Sequence, residues 1–429
     1  MKRFWIALFA LALVFAFVAP SYATDVNFTG YYRVRGFWDY NRALAPDNID
    51  VNNNTNDAYY DQRLRVLMNF NVAEGLSITA RFHAMDRVWG EDAVSSGNNG
   101  TLDKNNIYWN RAYMTYKSPV GKFDVGYMSG GTFGTVFADT EADGVPRIKY
   151  TGAFGPWIIL ALTEKGVEQD GIGVQDVSDA DYDKYAIAPF YKWDGGIVGA
   201  LWFYLPNHAN KPAAVGTTES TSLSNLFVVY TKTTLGPVYL EAEVDYFTST
   251  TEFEGADAGR ADIDRKGWSW YLYGKYNMGP AYVGFQYGYV AGDDSPNDPN
   301  DSSAGYTGSD WNPCLILFND NIANRGTYEV SGAAIVNSSL YQIFGGFSPM
   351  ANLDLWAAFT YAVVDEQDDL VDDEIGYEFD IQATYKILDN LEYQLGFGYL
   401  AAGDAYKGND ATNQVDDNWL LMHKLQLNF

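Results

Sequence analysis

Polarity alternates with a period of two along almost the whole chain, and no long stretch shows the 3.6-residue period of a helix. The last twelve residues, from Asn418 to Phe429, show the pattern most clearly. Every second position there forms a mostly apolar or aromatic set: Trp419, Leu421, His423, Leu425, Leu427 and Phe429. Since successive side chains of a strand point to opposite faces, one face is apolar and the other is polar. The chain is therefore predicted to be all-β, with sheets that separate oil from water.

The same alternation appears at the start of the chain and in the segments that follow. From Val26 to Tyr40, aromatic and small residues occupy one face, and arginine and other polar residues occupy the other. A second segment, Leu64 to Val72, and a third, Leu76 to Val88, repeat the pattern across a very short link. Neighbouring segments of this kind predict antiparallel hairpins.

Short and long links alternate between the segments. The short links are rich in the turn-forming residues Gly, Pro, Asn and Asp, as in 118–121, 154–156, 193–196, 235–237, 278–280, 348–352 and 388–390. The long links lie near 89–106, 128–145, 164–181, 206–222, 249–266, 291–326, 364–374 and 401–417. This asymmetry is typical of transmembrane barrels, with short periplasmic turns and long external loops. Counting segments predicts about 18 strands, with 16 as the alternative.

The N-terminus has the features of a secretory signal. Lys2 and Arg3 precede an apolar run from Phe4 to Ala19, and small residues follow at Ser21 and Ala23. The run is shorter than the roughly 20 residues that a spanning helix needs, which disfavours an uncleaved anchor. We therefore expect a signal peptide over 1–23, cleaved after Ala23, and a single barrel over 24–429.

Composition supports a membrane barrel and excludes other classes. Aromatic residues make up 16% of the chain, and pairs such as Trp38 with Tyr40 stand at the ends of apolar faces, where girdles form at the membrane interfaces. Mean hydropathy is −0.23, because lipid-facing and water-facing residues cancel in the average. The formal charge of −27 argues against nucleic acid as a partner. A sheet can cross hydrocarbon only when it closes on itself, so the prediction is one up-and-down barrel.

The polar faces predict what lines the lumen. In the first third of the chain the charges are mostly basic, and neighbouring strands should join them into one wall: Arg33, Arg35, Arg63, Arg65, Arg81, Arg87, Arg111, Lys117, Arg147 and Lys149. Later strands carry an acidic set: Glu241, Glu243, Asp245, Asp354, Glu378 and Asp380. Opposed walls of this kind would set a field across the pore and orient polar solutes.

The signal sequence, the hairpin series, the aromatic faces and the final strand ending in Phe429 together resemble a Gram-negative outer-membrane porin. The strand count is similar to that of eighteen-stranded channels, which include substrate-selective porins with a basic ladder and alginate-export channels. The resemblance implies passive diffusion of hydrophilic solutes without a cofactor or catalysis. It also implies that the assembly machinery reads Phe429, that outer-membrane lipid and lipopolysaccharide surround the barrel, and that a homotrimer is an open alternative.

The third long loop is predicted to form a constriction. Its glycines permit a tight fold, Phe133 and Phe137 can anchor it on a wall, and Asp139, Glu141 and Asp143 can face basic residues. Position and chemistry resemble the porin loop that folds inward and narrows the channel. The alternative is an ordinary external loop.

Two further alternatives remain open. One is an export channel for an anionic polysaccharide, since guanidinium groups pair well with carboxylates. The other concerns an apolar island around the single cysteine, Cys314 to Phe318, which would plug the mouth, pack on a wall or contact another subunit. Catalysis is not expected, because no nucleophile accompanies the three histidines at a suitable spacing. No metal site is predicted.

Overall fold

The computed structural model describes residues 25–41, 44, 56–90, 107–140, 144–168, 180–210, 218–295, 298, 300–303, 305–308, 310–319 and 334–429. The predicted signal peptide lies outside these residues. Within the described part of the chain, no helix combines the length and apolar character needed to cross a membrane.

The described chain consists of strands and two short 3-10 turns. The strands are β1 Asp25–Tyr40, β2 Asp57–Ala73, β3 Leu76–Val88, β4 Tyr108–Ser118, β5 Gly121–Met128, β6 Val145–Phe154, β7 Trp157–Val167, β8 Tyr182–Trp193, β9 Gly196–Asn210, β10 Ser220–Leu235, β11 Val238–Phe253, β12 Ile263–Met278, β13 Ala281–Val290, β14 Asp301–Ser303, β15 Ser338–Met350, β16 Leu353–Val364, β17 Glu374–Leu388, β18 Leu391–Ala402 and β19 Asn418–Asn428. The 3-10 turns are Gly255–Asp257 and Asp404–Lys407.

The long strands form one closed antiparallel barrel. Each pairs with the next along the chain, β13 pairs with β15, and β19 returns to pair with β1. The three-residue β14 pairs in parallel with the loop end of β12 and stays outside the ring, so the barrel has 18 strands. The predicted architecture is confirmed. Two backbone hydrogen bonds between Gly30 and Phe429, of 2.8 and 3.0 Å, extend the closing seam to the last residue.

The two ends of the barrel differ as the sequence predicts. Eight turns at the end that carries Asp25 and Phe429 each leave two residues between paired strands, such as Glu74 and Gly75 between β2 and β3. The opposite end carries the longer connections, among them 129–144 and 291–337. Both termini of the barrel therefore lie at the turn end.

The outer face is apolar and bears aromatic belts at both ends. Near the loop end, ring contacts run from strand to strand, for example between Tyr287 and Tyr341 at 4.9 Å and between Tyr361 and Tyr377 at 4.7 Å. At the turn end, exposed aromatic residues include Phe28, Tyr116, Phe154, Trp157, Trp193, Tyr276, Tyr385 and Phe429. Aromatic side chains at two levels with aliphatic ones between them match a membrane's interfaces and its hydrocarbon.

The main apolar core lies inside the barrel. It joins inward side chains of the wall, including Phe37, Tyr271, Leu340, Leu400 and Leu420, to loop residues. Most of these loop residues come from two segments that fold into the lumen, around Phe137 and around 311–318. This inner core fills part of the space inside the barrel.

Candidate functional site

The inner wall of β1 to β6 carries nearly all of the predicted basic residues. Arg33 stands opposite Arg63, and Arg81 stands opposite Arg111 in the strand register. Because registered partners of an antiparallel pair share a face, these guanidinium groups adjoin one another on the lumen side. Lys149 lies on the same wall, and Lys117 lies beside the turn end, opposite Lys122.

Arg87 is the exception, and its predicted place on the inner wall is corrected. The register shifts between the Leu64–Ala84 and Gln62–Arg87 pairs, where β3 has one residue more than β2. Such a bulge reverses the alternation of faces. Arg87 consequently stands opposite Gln62, whose side chain accepts hydrogen bonds from Tyr32 and Trp89 on the outer face. The same bulge turns Asp86 inward, where it pairs with Arg63 at 2.8 Å.

Acidic side chains neutralise part of this basic wall. Arg35 binds Asp61 at 2.5 Å. Glu164 pairs with Arg147 and, at 2.8 Å, with Lys184. Asp124 lies 2.8 Å from Lys122 and 3.6 Å from Lys149. Glu164 was not among the predicted site residues, although its inward register opposite Arg147 would have placed it there.

Arg33 differs from its neighbours. Among the described residues it forms no ion pair, whereas Arg35 and Arg63 each pair with an aspartate. Its Nε, like that of Arg63, has no hydrogen-bond partner there. Its guanidinium carbon lies 5.8 Å from the ring centroid of Tyr31, and Arg65 lies 5.3 Å from the same ring. The wall thus holds an uncompensated positive charge beside the aromatic face of Tyr31.

His83 belongs to the structural network of this wall. Its Nε2 accepts a hydrogen bond of 2.7 Å from Arg65 Nε, and its Nδ1 lies 2.6 Å from the Tyr108 hydroxyl. An arginine donates only, so Nε2 must be the unprotonated nitrogen and Nδ1 carries the hydrogen of the neutral ring. This arrangement orients Arg65 toward the lumen.

The predicted constriction loop folds into the barrel. Phe137 is buried, stacks on Tyr271 with centroids 5.4 Å apart, and meets Trp311 edge to face. Phe133 packs against Tyr230 at 5.2 Å. The backbone of Asp139 accepts a hydrogen bond of 3.1 Å from Asp310 N–H. Glu141 and Asp143 lie outside the described residues.

A second inward segment, Trp311 to Asn319, packs beside that loop. Trp311, Cys314, Leu315, Ile316, Leu317 and Phe318 are all buried in the inner core. The sequence left three places open for this apolar island, and the structure packs it on the inner wall of β15 to β19. Apolar residues at inward positions of those strands, such as Leu340 and Leu420, would be unusual beside water and are the signal that sequence reasoning missed.

Glycines on the wall make room for this second inward segment. A Cβ atom at Gly288 would collide with the Trp311 ring, and one at Gly398 would come within 2.8 Å of Asp380 Oδ1 and 3.2 Å of Leu315 Cβ. Both glycines stand at inward positions, in β13 and β18. Their missing side chains let the segment approach the sheet backbone.

The predicted acidic wall is mostly covered by these two segments. Glu243 accepts a hydrogen bond from Thr135 N–H of the constriction loop. Glu378 accepts bonds of 2.7 Å from the N–H groups of Ile316 and Leu317. These acids and Asp245 are at most 1% exposed, so they do not line open solvent.

The other predicted acids also accept hydrogen bonds, either from the second inward segment or from the wall. Asp380 accepts a hydrogen bond of 3.2 Å from Leu315 N–H and is likewise buried. Glu241 accepts a hydrogen bond of 2.6 Å from the Tyr239 hydroxyl, and Asp354 accepts one of 2.7 Å from the Ser348 hydroxyl. Several of the acids therefore position backbone. On the basic wall of β1 to β6, Arg81 is buried, but most of the described basic side chains are partly exposed.

A closed 18-strand barrel with an apolar outer face and a charged inner wall defines a porin-like outer-membrane barrel. Similar solved structures include OpdK of Pseudomonas aeruginosa with vanillate, at a TM-score of 0.53 and 11% identity over 94% of this chain and 99% of that one. A second structure from that organism, of OccK1 (OpdK), has a TM-score of 0.52 and 11% identity, over 94% of this chain and 99% of that one. An anion-selective porin from Comamonas acidovorans has a TM-score of 0.47 and 11% identity, over 95% of this chain and 100% of that one.

The first two of these likenesses establish the fold, and at this identity they establish nothing finer. No protein-family model and no curated protein matches the sequence.

Proposed function

We propose that the protein is an outer-membrane channel for passive diffusion of small hydrophilic solutes, and that it favours anions. The observation that carries the proposal is the basic inner wall of β1 to β6, in which Arg33 has no acidic partner among the described residues. A charged lining of one sign selects the opposite ion. The covered acids of β11 and β17 leave this wall as the charge that a solute meets.

The proposal includes a residence and a set of partners. The chain is exported by its signal peptide, and outer-membrane lipid and lipopolysaccharide surround the aromatic belts. The assembly machinery reads the strand that ends in Phe429. Transport needs no cofactor and no chemical step. A homotrimer remains an expectation from the resemblance, and the mass of the protein in detergent, measured by light scattering, tests it.

An export channel for an anionic polysaccharide is the alternative, since it also needs a basic path. The inward segments favour small solutes, because Phe137 and Trp311 occupy lumen space that a polymer would need. Adding a polyuronate to one side of a planar bilayer that contains the channel distinguishes the two candidate functions. Small-solute flux with little block supports the diffusion channel, and deep block by the polymer supports the exporter.

Reversal potentials in asymmetric KCl test the anion preference. The wild-type channel should pass chloride better than potassium. A charge roughly 6 Å from the ion attracts chloride by about 0.7 kcal/mol in water and repels potassium by the same amount. Arg33→Gln removes both effects, so the ratio of chloride to potassium permeability should fall about tenfold. The preference should also weaken as salt rises, because screening lengths shorten.

The matched control is Arg260→Gln, which removes an equal charge from an exposed loop position outside the barrel wall. It should leave the permeability ratio unchanged. A wild-type channel that prefers cations, or equal effects of the two variants, would contradict the assignment of the basic wall. Absence of conductance in reconstituted protein would contradict the channel itself.

A further inference from the structure

We propose that Cys314, Glu378 and Asp380 bind a divalent metal ion of borderline softness, with Zn²⁺ as the fitting example. The ion would join the second inward segment to β17. The site is separate from the basic wall and does not depend on the transport role.

Geometry brings the three side chains together. One ligand atom from each, the sulfur of Cys314 and a carboxylate oxygen of Glu378 and of Asp380, lies within 4.8 Å of the others. The two acids stand two residues apart on β17 and share its inward face, while the cysteine comes from the loop segment packed over them. All three are buried, with exposed fractions of 3%, 0% and 1%.

A second observation points to a ligand at this place. Asp380 Oδ1 is buried and has no hydrogen-bond partner among the described residues, and it belongs to the carboxylate that completes the cluster. Asp380 also forms no ion pair with a basic side chain in the described part of the chain. A buried carboxylate without a cation is costly unless it is paired, protonated or bound to a metal.

The donor set selects the class of metal. A thiolate with two carboxylates suits zinc, whereas calcium and magnesium take oxygen ligands. Binding replaces the S–H bond by a metal–sulfur bond. The thiol proton and every proton that the two carboxyl groups carry before binding pass to solvent, so no oxidant or reductant takes part.

Neighbouring groups would hold the ligands in place. Thr360 Oγ lies 3.3 Å from the sulfur, so its hydroxyl can donate to a thiolate while it accepts a 2.8 Å hydrogen bond from Gln342 Nε2. Backbone N–H groups of Leu315, Ile316 and Leu317 fix the two carboxylates. Such outer contacts orient ligands and raise affinity.

Metal content is measured on protein refolded from urea with ZnCl₂, because the buried site must be filled as the barrel forms. After dialysis, elemental analysis should find about one zinc per chain. Refolding with CoCl₂ should give a thiolate-to-cobalt charge-transfer band. Cys314→Ser should abolish the band, and Asp380→Asn should reduce zinc retention about 10-fold or more.

The control is Asp354→Asn, an inward acid of β16 outside the cluster, which should retain zinc and the cobalt band. For every variant, the difference in gel migration between unheated and heated samples shows that the barrel is folded. Wild-type protein without stoichiometric zinc and without the cobalt band would overturn the proposal. Folded Cys314→Ser that binds zinc as the wild type does would overturn it as well. Neither outcome bears on conductance, so this test fails independently of the channel assignment.

Discussion

Single carboxylates on the inner wall hold whole loop segments by their backbone. Glu243 accepts from Thr135 N–H, and Glu378 accepts from two successive N–H groups of the second inward segment. A charged acceptor is stronger than a neutral one, and the buried donors have no water to replace it. The acids therefore position the segments that shape the lumen, a role that face patterns alone do not distinguish from pore lining.

Glu243→Gln tests this role at one residue. A neutral amide weakens the hydrogen bond to Thr135 N–H, and the cost of a compromised buried bond is about 1 to 3 kcal/mol. Hydrogen exchange at the Thr135 amide should accelerate by roughly 5- to 150-fold, as measured by mass spectrometry of the peptide that contains it.

Glu241→Gln is the matched control, two residues away on the same face, where the carboxylate accepts from Tyr239 of its own strand. It should leave exchange at Thr135 unchanged. Equal acceleration in both variants, or none in Glu243→Gln, would show that the carboxylate does not hold the loop.

At the scale of elements, the strands were predictable, whereas the place of the second inward segment was not. The third strand was predicted as Leu76 to Val88, and the structure gives the same bounds. The alternation of polar and apolar residues is a local property of the sequence, so a strand can be predicted from it without knowing which strands lie beside it. Arg87 shows the limit, because a bulge that reverses the faces depends on the register with β2.

The second inward segment shows the same limit at greater distance. Cys314 to Phe318 reads as an apolar run whose partner cannot be found locally. The partners, such as Leu400 and Leu420, lie about a hundred residues away in sequence. Burial of apolar surface selects the packing, and the strands that supply this surface lie next to the segment only in the folded barrel.

Replacing Pro313–Phe318 by a Gly-Ser linker of equal length tests what this element does. The linker cannot bury apolar surface, so the segment should leave the inner wall and widen the lumen. Single-channel conductance in a planar bilayer should rise. The same replacement at Gly255–Arg260, an equally long loop stretch outside the inner core, should leave conductance unchanged. Equal conductance for the two would remove the second inward segment from the list of constrictions.

At the scale of the whole molecule, the barrel presents apolar side chains on its outer face and polar ones on its inner face. Ile343, near the middle of β15, is 65% exposed on the outer face, and the neighbouring Gln342 is buried inward. Phe347 lies on the same outer face as Ile343, closer to the turn end. If hydrocarbon surrounds the barrel, the cost of a charge on this face depends on its depth.

Ile343→Arg and Phe347→Arg test that dependence within one strand. An arginine near the midplane should lower the free energy of unfolding by about 2 to 4 kcal/mol, while one near the interface should cost about 0 to 1 kcal/mol. Unfolding in denaturant from lipid vesicles, followed by tryptophan fluorescence, measures both values. In detergent micelles, where depth is poorly defined, the difference between the two variants should shrink. Equal costs in vesicles would mean that no hydrocarbon layer is centred on Ile343, and the membrane-spanning orientation of the barrel would have to be abandoned.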